Sequence, residues 1–68
     1  MNEEELKELV GKKVKVICLY VGKEPIIYRG VIKKVNNGAV TIVDKFGNLV
    51  LLSSDIITEV VVLGDSDV

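Results

Sequence analysis

The side chains of this sequence that could do chemistry are cationic and aromatic. Lys13 and Lys15 stand two residues apart, and Arg29, Lys33 and Lys34 follow Tyr28 within one short stretch. Lysine and arginine hold phosphates and an aromatic ring stacks on a base, so this set suits single-stranded nucleic acid. The same residues have a structural reading. Lysines keep strand edges soluble. Tyr20 and Tyr28 would make a cross-strand aromatic pair at the mouth of a barrel. Covalent chemistry finds little support. Histidine, the commonest general base, is absent. Ser53-Ser54-Asp55 offers a nucleophile and an acid without a base, and a turn cap accounts for all three. Cys18 stands alone, alternates with Val14, Val16 and Tyr20, and reads as a small buried hydrophobe. One cysteine and scattered acids make no zinc site, and the isolated glycines make no phosphate-binding loop. The expectation is a non-catalytic protein without metal or cofactor.

Charge is segregated along the chain. Residues 1–9 carry four acids and one base, residues 10–45 eight bases and two acids, and residues 46–68 four acids and no base. A basic middle between acidic ends can build a local positive surface under a net charge of −1. Only three of 68 residues are aromatic, so the core must be aliphatic. So much Val, Ile and Leu is hard to hide in one small domain, and exposed apolar patches mark contacts. Self-association is therefore expected. No apolar stretch is long enough to span a bilayer, and no basic and apolar leader precedes the acidic start. No internal disulfide is possible with one cysteine. A cytoplasmic location, with no membrane partner, is the default expectation.

The elements that must position these residues are mostly strands. Twenty residues are Val or Ile, and most fall in five short runs, the β-branched signature of a small closed barrel. A helix is expected over about 2–10, capped by Asn2 with Glu5 three residues on, with Leu6, Leu9 and Val10 on one face and Gly11 as the stop. Strands are expected at 13–21, 26–35, 39–44, 49–52 and 56 or 57 to 63. Gly30 breaks the second, as a bend or bulge in a barrel wall requires. Asn36-Asn37-Gly38 is a hairpin signal. Phe46, beside Gly47, is either a contact residue or a plug for a small satellite core. The polar tail from Gly64 onward should fray. Ile57, Val60, Val61, Val62 and Leu63 make a nearly continuous apolar strand. One barrel can cover only one face of it, so the remainder should meet a partner chain.

Leu6-x-x-Leu9-x-Gly11-Lys12-x-Val14-x-Val16, then Tyr28-Arg29-Gly30-Val31-Ile32, then Val40-x-Ile42-x-Asp44 and Asp55-Ile56-Ile57-x-x-Val60 together resemble the pattern of Sm-like (LSm) proteins within the SH3-like small barrels. The resemblance covers nearly the whole chain, and each piece of it is generic. It implies rings built by main-chain pairing of strand four with strand five of the neighbour, which adds Leu49 and Leu51 to the interface residues. It also implies uridine-rich or adenine-rich RNA bound at the ring pore, with Asn36 or Asn37 in the contact region of the strand two to three turn. The pattern departs at Ala39 and Val40, where an amide is expected. It departs again at Ser53-Ser54-Asp55, which replaces an Arg-Gly-type pair with an acid that repels phosphate. The first hairpin is also longer than usual.

The expected fold is all-β: one domain over 1–68, a bent five-stranded antiparallel barrel over about 12–63 with a short N-terminal helix. The expected function is a homo-oligomeric binding or assembly module. Two readings stand: a ring that binds single-stranded RNA, and a structural or regulatory adaptor that contacts protein alone.

Overall fold

The computed structural model describes residues 1–65. Asn2 caps a short helix, α1 (Glu3–Lys7), and accepts the Glu4 N–H at 2.7 Å. Three glutamates fill its first turn, where the helix dipole favours negative charge. The helix is shorter than the apolar spacing suggests. After Lys7 the chain tightens: the N–H groups of Leu9 and Val10 bond the carbonyls three residues back, at Leu6 and Lys7. That tightening rotates Val10 out of the stripe. Leu6 is fully buried, Leu9 is partly buried and packed on the core, and Val10 is exposed. Gly11 turns the chain at φ 90° and donates its N–H to the Ile32 carbonyl at 2.8 Å.

Five antiparallel strands follow: β1 (Lys12–Cys18), β2 (Ile26–Asn36), β3 (Ala39–Val43), β4 (Leu49–Ser53) and β5 (Ile57–Asp65). Their order across the sheet is β4-β3-β2-β1-β5. The sheet is bent but does not close, because β4 and β5 are the two ends of that order. The expected closed barrel is thus an open one. The bend lies in β2, which pairs with β1 from Ile26 to Val31 and with β3 from Val31 to Asn36. Gly30 sits at this changeover. A Cβ there would fall 2.6 Å from Ile42 Cγ2 and into the Val43 carbonyl, so only glycine lets β3 fold across β2.

Alternation builds the core. Val14, Val16 and Cys18 of β1, Ile32 and Val35 of β2, Val40 and Ile42 of β3, Leu52 and Ile57 are buried together with Leu6. Asn37 and Gly38 both take positive φ, 50° and 77°, as a two-residue type I′ hairpin requires. The β3–β4 turn is closed by Asp44, whose carboxylate accepts the N–H groups of Phe46 and Asn48, each at 2.9 Å. Ser53 caps a single 3-10 turn (Ser54–Ile56) by accepting the Asp55 N–H.

The N-terminal segment ties two turns to each other. Glu3 Oε2 accepts the Gly38 N–H at 2.8 Å, Ser54 donates its N–H to the Gly38 carbonyl, and the Met1 ammonium donates to the Ser54 carbonyl. Two strand ends depart from the sequence expectation. β1 stops at Cys18, where both its partners end: Cys18 lies opposite Ile26, the first residue of β2, and Ile57, the first of β5. β5 runs on through Gly64 and Asp65, which pair with Lys13 and Lys12, so the start of the expected frayed tail is strand. Residues 66–68 of that tail lie outside the described residues.

Candidate assembly edges and basic face

The end strands of the sheet, β4 and β5, carry the exposed apolar residues Leu49, Leu51, Val62 and Leu63. On β4, Val50 and Leu52 turn inward, which leaves Leu49 and Leu51 on the outer face at 66% and 68% exposure. The strand contains no charge, proline or glycine, so it lacks the devices that usually guard a free edge. On β5, Val60 and Val62 lie opposite Val16 and Val14, whose side chains point into the core, and Val61 lies opposite Lys15 on the outer face. Val62 and Leu63 are nevertheless 48% and 50% exposed, because no strand beyond β5 covers them. Ile57 behaves differently from its neighbours. It is 2% exposed and packs in the chain's own core opposite Cys18, so its side chain is not available to a partner.

The basic residues divide between places. Lys13 and Lys15 alternate with the buried residues of β1 and so point outward. Arg29 is directly opposite Lys15 on β2. Lys34 is opposite Thr41 on β3, past a bulge at Lys33, and shares the outer face with Asn36. Lys34, Asn36, Ala39, Thr41 and Leu51 line a shallow open depression there. Among the described residues, no carboxylate lies within 4.0 Å of Lys13, Lys15, Arg29 or Lys34. Lys33 and Asn37 are also exposed, at the bulge and in the turn.

Tyr28 is on the other face. It lies opposite the buried Val16, packs with Tyr20 against the core, and is only partly accessible. The neighbouring Tyr28 hydroxyl, together with burial, raises the Tyr20 pKa above the ordinary value. The structure therefore brings Lys13, Lys15 and Arg29 together, puts Lys34 and Asn36 on the same outer face beyond the bend in β2, and sets Tyr28 on the opposite face. Strand alternation could have shown this, since Tyr28 and Arg29 are neighbours on one strand and must face opposite ways.

Other chemistry-bearing groups have structural partners. Burial pushes the Cys18 thiol pKa up, which keeps it protonated and unreactive. Ser54 is buried, with its N–H on Gly38. Among the described residues, no group of three or more His, Cys, Asp or Glu could hold a metal ion, and no helix is long and apolar enough to cross a membrane. Phe46 is exposed, so it plugs no satellite core; the Lys45 ammonium sits 5.2 Å from its ring centroid.

No family model matches the sequence, and no curated protein matches it.

Proposed function

We propose that this chain is a non-catalytic assembly module of the Sm-like kind, joined head to tail by β4 of one copy and β5 of the next. The observation that carries this reading is the pair of apolar edges at opposite ends of one open sheet, β4 without any charge and β5 uncharged from Val60 to Leu63. An antiparallel joint would set Leu49 and Leu51 beside Val61 of the neighbour on the outer face, and Val50 beside Val60 and Val62 on the inner face. Each edge would gain main-chain hydrogen bonds, as in strand addition. Because the two edges differ, the contact is heterologous. Repeated, it closes into a ring or grows into a filament. Native mass spectrometry tests it: wild-type chain should give multimers, and Leu51→Lys should lower the mass.

A second reading adds RNA. Its support is the Lys15–Arg29 pair, like charges directly opposite each other, which by themselves oppose strand pairing. A bound polyanion would offset that repulsion, with Lys13, Lys34 and Asn36 on the same face. Fluorescence anisotropy with short uridine-rich and adenine-rich RNA at low salt tests this. No response would leave an assembly module or adaptor that contacts protein alone.

A further inference from the structure

The chain has a third open edge. β2 meets β3 only from Val31 onward, and β3 ends at Val43. On that side of β2, the stretch Ile26–Gly30 has no strand partner among the described residues. It belongs to the long first hairpin, which carries Leu19, Val21, Ile26 and Ile27 exposed. From Ile26 to Tyr28 this edge bears no charge, and the one device that guards it is Pro25 at its start, which has no N–H to give.

We propose that this edge pairs with the same edge of a second copy, antiparallel, about a two-fold axis at Ile27. The charges at its ends select this occupant. Glu24 stands at the turn end and Arg29 at the other. An antiparallel pair centred on Ile27 sets Arg29 of each copy opposite Pro25 of the other and one residue along from its Glu24, whereas a parallel pair would set like beside like. Lys23 lies one residue further into the turn, beyond the paired stretch. Alternation fixes the register. With the axis normal to the sheet, outer faces meet outer faces, so residues of equal parity must pair. Ile27 then pairs with Ile27 of the second copy, and Ile26 with Tyr28. The contact is isologous, uses neither β4 nor β5, and would link two assemblies or make a dimer where the head-to-tail joint is broken.

The test uses chains carrying Leu51→Lys and Val61→Lys, which lack the head-to-tail joint. Sedimentation should give twice the chain mass, and adding Ile27→Lys should give a single chain mass. Ile27→Cys supplies an independent measurement in the otherwise wild-type chain, since native Cys18 is buried. Paired residues on antiparallel strands meet the distance a disulfide needs. Under mild oxidation Ile27→Cys should form a crosslinked dimer about tenfold or more faster than Asn37→Cys in the exposed turn, through the effective concentration of a preformed contact. Equal crosslinking rates, a monomeric Leu51→Lys/Val61→Lys chain, or a dimer that survives Ile27→Lys would each overturn the proposal. Assemblies larger than a dimer in the Leu51→Lys/Val61→Lys chain would count instead against the head-to-tail joint.

Discussion

The main chain at Gly30 lies so close to Ile42 that a single added methyl would come within 2.6 Å of its Cγ2. This approach lets one strand serve two partners and so makes the bend. Gly30→Ala should destabilise the fold by about 1–3 kcal/mol or more, the usual range for forced overpacking. Urea denaturation measures it, and an unchanged midpoint would show that β3 can move away at no cost.

Leu6 and Val10 make a contrasting pair. Leu6 is wholly buried against the sheet and Val10 is exposed. Leu6→Ala should cost about 2–5 kcal/mol, a large share of the ~3–10 kcal/mol expected for a domain of this length. Val10→Ala should stay within about 0.5 kcal/mol. Thermal melts that rank the two substitutions equally would contradict the docked helix.

Asp44 gives a pH signature. Hydrogen bonds from Asn48, with a further one from Phe46, hold its carboxyl below the usual carboxylate range. A folded pKa below the unfolded one means a contribution fully present above the unfolded value, about 3.9, and lost as pH falls through the folded value. Wild type should therefore be more stable than Asp44→Ala at neutral pH, and the gap should narrow below about pH 4. A gap that stays constant into strong acid would mean that the turn does not depend on the ionised carboxylate.

Much of this architecture is legible in the sequence. Val14, Val16 and Cys18 announce a one-sided strand, Asn36-Asn37-Gly38 its hairpin, and Ser53 a cap. What alternation could not supply is where pairing stops. Leu19 and Val21 continue the apolar run of β1, yet β1 ends at Cys18 because its partners β2 and β5 begin opposite it, at Ile26 and Ile57. Ile57 and Val62 look alike in sequence, but one meets Cys18 in the core and the other lies half uncovered. Tyr28 and Arg29 are adjacent in sequence, but alternation sends them to opposite faces, Tyr28 opposite Val16 and Arg29 opposite Lys15.

The basic face predicts an ionic signature if it holds RNA. Each phosphate contact releases counterions, so affinity should fall steeply with salt. Lys15→Ala and Arg29→Ala should flatten that slope, while Tyr28→Ala should leave it unchanged. Removing either member of the like-charged pair should also leave stability equal or raised, since directly opposed like charges are destabilising. A Tyr28→Ala chain that lost most affinity while Arg29→Ala kept it would reverse the assignment.

The head-to-tail joint makes the central claim, and mixing two variants tests it most directly. In chains that also carry Ile27→Lys, Leu51→Lys blocks the β4 edge and leaves β5 intact, while Val61→Lys blocks β5 and leaves β4 intact. Native mass spectrometry should show each variant alone as a single chain, and the equimolar mixture as a one-to-one heterodimer through the one intact joint. Two monomers in the mixture, or a wild-type chain that stays monomeric at the same concentration, would contradict the account.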